Sequence, residues 1–337
     1  MLAHAADSAA ELATIATPQL WAVTVAGIVA LLALDFVITR KPHEVSFREA
    51  LGWSAFYIAL PVAFGAWVWA SHGSDVGVKY YTGYIVEKSL SVDNLFVFIL
   101  ILSAFAVPRA LQQRALLVGV IGALVLRGVF IAVGAAMIAR WSWTFVLFGA
   151  ILLVTAVKVL RDALRHDDAE IDPDKIGIVR LLRRLWPVTG EYQGTRYTVA
   201  VDGRRALTPF ALVIAAIMMT DVVFAIDSVP AVYGITADPY LVFVTNAFAL
   251  LGLRALYFVL EKALAKLVFL GFGLAAILAF IGAKLALHWA HGIWPDVPVV
   301  ETVTSMVVIV AILALTTVAS LVASRRTRHD PSTETES

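Results

Sequence analysis

Residues 86–98 read Val86-Glu87-Lys88-Ser89-Leu90-Ser91-Val92-Asp93-Asn94-Leu95-Phe96-Val97-Phe98, with three charges set into an apolar run. Residues 220–232 read Thr220-Asp221-Val222-Val223-Phe224-Ala225-Ile226-Asp227-Ser228-Val229-Pro230-Ala231-Val232. Each holds an acid, five further residues, and then an Asp followed by a small polar residue. The likeness continues downstream. Leu126-Arg127-Gly128-Val129-Phe130 matches Leu253-Arg254-Ala255-Leu256-Tyr257, Lys158 lies 31 residues after Arg127, and Lys284 lies 30 after Arg254.

The surrounding chain explains why charges in this pattern matter. Of the 337 residues, 61% are hydrophobic and only 15% are charged, against about 25% charged in soluble domains. A spanning helix needs roughly 20 mostly apolar residues. Nine segments qualify: 18–39, 51–70, 80–106, 113–139, 142–161, 207–232, 240–260, 265–288 and 302–323. The chain is thus expected to be an all-α polytopic membrane protein with about nine transmembrane helices.

Loop charge sets its expected orientation. One alternate set of loops carries 19 Lys and Arg; the other holds only Lys79 and Arg140. That asymmetry places the N-terminus outside and the C-terminus in the cytoplasm. The five remaining basic residues, Lys88, Arg127, Lys158, Arg254 and Lys284, fall inside apolar runs, as do Asp35, Glu87, Asp93, Asp221 and Asp227. Ionisable groups in hydrocarbon are costly and face a bundle interior or a water-filled path.

The expected organisation follows. Residues 1–79 hold the first two spans, and 80–161 form a three-helix repeat. A charged cytoplasmic loop spans 162–206, with a hairpin signal at Asp202-Gly203. Residues 207–288 form a second three-helix repeat, 289–323 hold the last span, and 324–337 form a polar tail without stable structure. An odd number of helices per unit inverts the second relative to the first, the architecture of many secondary transporters.

Composition also excludes. The formal net charge is +1, which gives no basic field for nucleic acid, and the chain has no cysteine. Thiolate metal ligands and thiol nucleophiles are absent, and no His/Ser pairing points to an enzyme. No basic stretch precedes the first apolar run, so no cleaved secretory signal is read.

Helix geometry limits what the acids can do. Residues six apart stand about 9 Å along the axis and on different faces, so Glu87 and Asp93 cannot share one ion on an unbroken helix. Glu87, Ser91 and Asn94 can share a face, as can Asp221, Ala225 and Ser228. Pro230, just after Asp227, predicts a break or kink there. Carboxylates with Ser and Asn oxygens suit a hard divalent cation, Mg²⁺, Ca²⁺ or Mn²⁺. The expected metal-binding residues are Glu87, Asp93, Asp221, Asp227, Asn94, Ser91 and Ser228. Arg127, Arg254, Lys88 and Asp35 are expected as supporting charges. Buried ion pairs that only fix helix packing would leave a similar signature. The aromatics Tyr80, Tyr81, Tyr84, Trp141 and Trp143 read as interfacial, and the stripe Gly271, Ala275, Ala279, Ala283 reads as a close helix contact.

The two acidic segments resemble the signature segments of the TerC/Alx family of integral membrane proteins. So do Trp186-Pro187-Val188-Thr189-Gly190-Glu191-Tyr192 and Leu251-Gly252-Leu253-Arg254-Ala255-Leu256-Tyr257-Phe258. The resemblance runs from about residue 20 to 290. It implies a relative of LysE-type exporters, Mn²⁺ export across the bacterial cytoplasmic membrane, and a metal path lined by Glu87, Asp93, Asp221 and Asp227. The expected function is therefore secondary transport of Mn²⁺, with protons as counter-ion, no permanently bound cofactor, and self-association left open. The competing expectation is a non-transporting scaffold of a metal-stress or tellurite-resistance complex.

Overall fold

The computed structural model describes residues 14–39, 45–165, 173, 176–201, 204–260 and 269–327. Its helices are α1 (Pro18–Ile38), α2 (Phe47–His72), α3 (Ser74–Ala104), α4 (Arg109–Arg140), α5 (Thr144–Arg165), α6 (Gly177–Leu185), α7 (Pro209–Tyr233), α8 (Pro239–Leu251), α9 (Leu253–Leu260), α10 (Leu270–His291) and α11 (Thr302–Thr327). The strands β1 (Thr198–Val201) and β2 (Arg204–Leu207) lie between α6 and α7 and pair antiparallel, Thr198 opposite Leu207 and Val201 opposite Arg204. The expected turn at Asp202-Gly203 is outside the described residues.

Several helix starts follow directly from local chemistry. Thr17-Pro18, Thr208-Pro209 and Asp238-Pro239 each pair a capping oxygen with a proline whose missing N–H costs nothing at the first helical position. Thr17 accepts from the Leu20 amide at 3.2 Å, Thr208 from Ala211 at 3.3 Å, and Asp238 from Tyr240 at 2.9 Å. Gly73, at φ 90°, turns the chain between α2 and α3 where a side chain would be strained.

Seven helices, α1, α2, α4, α5, α7, α10 and α11, are long and apolar enough to cross a membrane. The pair α8 and α9, bent by 40° around Gly252, makes an eighth span if taken together. The remaining expected span, 80–106, lies in α3. It has 31 residues but carries Glu87, Lys88 and Asp93 near its middle, which places it outside a purely apolar definition.

The side chains are distributed inside out relative to a soluble protein. Val154 and Leu315 are each 71% exposed, whereas Arg127, Glu87 and Asp221 are fully buried. Water would penalise that arrangement; hydrocarbon favours it. Helix ends gather on two opposite faces. On one, the Ile15 amide donates to Asp238; on the other, the Tyr192 hydroxyl donates to the Phe105 carbonyl at 2.8 Å.

The structure departs from the sequence expectations in several places. Tyr80 and Tyr84 are buried rather than interfacial. Tyr80 and Tyr81 donate to the carbonyls of Pro61 and Val62, so they lock α3 onto α2 over Gly65, which has no side chain to obstruct them. Trp141 and Trp143 are exposed as expected of interfacial residues. The loop 162–206 contains a helix, α6, which seats Val179 in the core while Arg183 and Arg184 face outward. At the far end, α11 continues to Thr327, so Ser324 to Thr327 are helical rather than tail; residues 328–337 are outside the described residues.

The close contact of α10 also differs in detail. Gly271 does meet Ala163, but Ala283 is exposed. The backbones of α5 and α10 come close at Gly149 and Gly282. A Cβ on Gly149 would stand 2.9 Å from the Gly282 carbonyl oxygen, and a Cβ on Gly282 would stand 3.0 Å from that of Gly149.

Candidate functional site

The centre of the bundle is organised by Arg127 of α4. Its Nε donates to Asp221 Oδ2 at 3.2 Å and its Nη2 to Asp221 Oδ1 at 3.0 Å. Its Nη1 donates to Glu87 Oε1 and to Asn246 Oδ1, the latter at 2.8 Å. With the Asn94 amide oriented to suit its neighbours, Asn94 accepts from Arg127 Nη2 at 2.9 Å and donates to the Leu90 carbonyl at 3.1 Å. All five guanidinium N–H groups are then matched. Asn246 of α8 closes the ring by donating to Glu87 Oε2 at 3.1 Å.

The acceptors are less saturated than the donors. Glu87 and Asp221 each receive two hydrogen bonds, while two carboxylate oxygens offer about four lone-pair sites. Two carboxylates against one guanidinium leave a formal charge of −1 among fully buried groups. Ser91 lies one turn below Glu87, and Ser228 lies two turns beyond Asp221. Both are buried, and their hydroxyls have no partner among the described residues. The core is therefore rich in spare oxygen lone pairs.

The shared faces read from helix geometry are those the structure buries. Glu87, Ser91 and Asn94 face inward from α3, and Asp221, Ala225 and Ser228 from α7. Asp227 is half-buried, close enough to Arg127 and Glu87 to feel both charges. Asp93 belongs to α3, but its side chain is outside the described residues. Among the described residues, no three His, Asp or Glu side chains group tightly enough to hold a metal ion. Arg127 fills the space between the two motif carboxylates instead.

The expected break near Asp227 does not occur. Helix α7 runs unbroken to Tyr233 with Pro230 inside it. Pro230 has no N–H to offer the Ile226 carbonyl, but the helix continues three residues past it, and its own carbonyl accepts from Gly234 at 2.9 Å. The discontinuity lies instead at Gly252, between α8 and α9. Lys88 Nζ donates to the Ala249 carbonyl at 3.3 Å there, an ammonium set on the electronegative end of α8. A side chain on Gly252 would meet that same Nζ at 3.1 Å.

The two arginines of matching sequence context serve different partners. Arg254 of α9 does not reach the motif acids. It forms a two-point pair with Asp35 of α1, Nη2–Oδ1 2.7 Å and Nε–Oδ2 3.3 Å. Of the two remaining lysines, Lys158 is exposed on α5, and Lys284 lines a cavity of about 270 Å³ with His288 and Glu301. Asn246 was not singled out from the sequence. Its signal was an amide in the apolar run Phe243-Val244-Thr245-Asn246-Ala247-Phe248, where a polar group needs a buried partner.

A bundle of apolar helices that turns its aliphatic side chains outward and closes a charged network inside defines a polytopic integral membrane protein. The family described as "Integral membrane protein TerC family" matches residues 72–328, and the chain belongs to the TerC family. It is 40% identical to an uncharacterized membrane protein of Myxococcus xanthus over 96% of this chain and 97% of that one. An uncharacterized membrane protein of Mycobacterium tuberculosis is 42% identical over 92% of this chain and 81% of its own length. The Escherichia coli protein named as a membrane-bound redox modulator, Alx, is 39% identical over 81% of this chain and 87% of its own. No solved structure matches the chain.

Proposed function

We propose that the chain is a secondary transporter that exports Mn²⁺ from the cytoplasm through the bundle centre by proton-coupled alternating access. In this reading α3 is a ninth span. Its Glu87 and Asn94 turn inward onto Arg127, so its charges need not meet lipid. The N-terminus lies outside and the C-terminus inside the bacterial cytoplasmic membrane. Helices α3 to α5 and α7 to α10 are the two inverted units.

The observation that carries the proposal is the meeting of Glu87 and Asp221, acids from corresponding motif positions, on one fully buried arginine. Packing alone would be served by one acid per arginine. The second acid leaves a negative charge, and the unpartnered Ser91 and Ser228 hydroxyls add hard oxygen donors beside it. A divalent cation reaches both carboxylates once the Arg127 guanidinium swings off one of them. Glu87 and Asp221 would then supply the charge at the central position, with Asn94 and Ser91 as neutral oxygens, while Asp93, Asp227 and Ser228, about two turns further along their unbroken helices, would line the path on either side of it. Protonation of the carboxylates on the outer side would release the metal and complete the exchange.

The redox role in the name of the Escherichia coli relative finds no thiol to carry it in this chain, which has no cysteine. A scaffold role would leave the charge network purely structural. Uptake of ⁵⁴Mn²⁺ into proteoliposomes separates the readings, comparing native protein with Glu87→Gln, Asp93→Asn and Asp221→Asn. We expect flux in the native protein and its loss in folded variants. No flux above empty liposomes, across pH gradients and other divalent ions, would leave the scaffold.

A further inference from the structure

A second charged site lies far from the bundle centre, on the outward face of α5. There a cavity of about 530 Å³ is lined, among the described residues, by Leu153, Val154, Val157, Lys158, Arg161 and Asp162. These positions follow the helical repeat. Leu153, Val157 and Arg161 are each four apart, as are Val154, Lys158 and Asp162, so both rows climb one face. The lower part is aliphatic and open to the outside, with Val154 71% exposed. The upper part carries two cations and one acid, about 6 Å higher along the axis per helical step of four. Neither Lys158 nor Arg161 has a hydrogen-bond or ion-pair partner among the described residues.

We propose that this face is a binding site for one anionic phospholipid with a hydroxylated headgroup, of which phosphatidylglycerol is the type. The aliphatic rows take an acyl chain, and Lys158 and Arg161 take the phosphate. Basic pockets at the ends of spanning helices bind anionic headgroups in this way, and the long stems of both side chains reach up to the interface. Asp162 sets the headgroup. Beside a phosphate it would repel a second anion, and it accepts hydrogen bonds from the glycerol hydroxyls. Among the described residues the three charged side chains sum to +1, which the single negative charge of phosphatidylglycerol cancels. A zwitterionic lipid leaves that charge unmatched, and phosphatidylcholine offers Asp162 no N–H or O–H donor.

The test is native mass spectrometry of the full chain, released from detergent with matched-chain phosphatidylglycerol, phosphatidylethanolamine or phosphatidylcholine. Phosphatidylglycerol should be retained best and phosphatidylcholine least. The K158Q/R161Q variant should lose about thirtyfold in phosphatidylglycerol retention, the scale of two basic contacts to an anionic headgroup. Both residues are exposed, so an unchanged unfolding midpoint is expected and serves as the folding control. Soluble glycerol phosphate should not displace the lipid, because it lacks the chain that occupies Leu153, Val154 and Val157. Equal retention of all three lipids would overturn the proposal. So would native-like retention by K158Q/R161Q, which would include the case of a second copy of the chain covering this face.

Discussion

Asp221 takes two hydrogen bonds from Arg127 across 94 residues of chain, at 3.2 and 3.0 Å, and neither side chain is exposed. This pair joins α7 to α4, and through the same guanidinium Glu87 joins α3 to both. Whatever moves at the centre of this bundle must first loosen those contacts.

Arg127→Met should be strongly destabilising, because it leaves two carboxylates buried without their cation. The loss expected for breaking a buried pair is about 3–5 kcal/mol. Adding Glu87→Gln and Asp221→Asn should recover much of it, since neutral amides need no counter-charge. Unfolding in detergent, followed by circular dichroism, measures both. A single variant as stable as the native protein would mean that the network contributes no stability.

Asp35 and Arg254 should behave as a coupled pair separate from the motif acids Glu87 and Asp221. Asp35→Asn and Arg254→Gln should each destabilise, and the double variant should cost less than their sum by about 0.5–3 kcal/mol. Additive losses would mean that the two-point contact between α1 and α9 carries no coupling energy.

Gly149 and Gly282 should tolerate substitution poorly. A Cβ on either would stand 2.9–3.0 Å from the other's carbonyl oxygen, inside van der Waals contact, so Gly282→Val must part α5 from α10. Overpacking of this kind costs about 1–3 kcal/mol. Because one separation accommodates both side chains, Gly149→Val added to Gly282→Val should cost less than Gly149→Val alone. The unfolding midpoints of the two single variants and the double variant decide this.

Lys88→Met removes the ammonium from the Ala249 carbonyl and leaves every carboxylate in place. Stabilisation of the purified protein by Mn²⁺ should therefore persist, while flux falls, because the break at Gly252 loses its anchor. Glu87→Gln should lose both. Loss of Mn²⁺ stabilisation in folded Lys88→Met would place Lys88 in cation binding itself.

Tyr192 should act as a tether of the segment between α5 and α7. Its hydroxyl donates to the Phe105 carbonyl, and Tyr192→Phe should cost about 1 kcal/mol and speed proteolysis of this segment. Burial pushes the phenol from 10.0 up to about 12. The folded form thus favours the protonated hydroxyl: its contribution is complete below pH 10 and is lost as pH rises through about 12. Unchanged proteolysis in the variant would remove the tether.

Much of this was legible in the order of residues. Long apolar runs mark helices because lipid leaves the backbone no other partner than itself. The spacing of Glu87, Ser91 and Asn94, and of Asp221 and Ser228, marked one face of each helix as buried because the helical period is fixed by backbone geometry. The dipeptides Thr17-Pro18, Thr208-Pro209 and Asp238-Pro239 carried helix starts in the same local way.

Other features depend on which helices come to lie side by side, and adjacent sequence does not encode that. Arg127 and Arg254 sit in similar local contexts, each after a Leu and three residues before an aromatic, yet one serves Glu87 and Asp221 and the other serves Asp35, 219 residues away. Asn246 joined the central network only because α8 packs beside α3 and α4. Pro230 drew the expected break to α7, but that helix continues through it to Tyr233, and the bend fell at Gly252, where Lys88 occupies the space a side chain would need. The sequence by itself determined that charges would be buried and on which helical faces. Only the tertiary structure decided their partners, because a buried ion's partner is set by distances of a few ångströms between elements far apart in the chain.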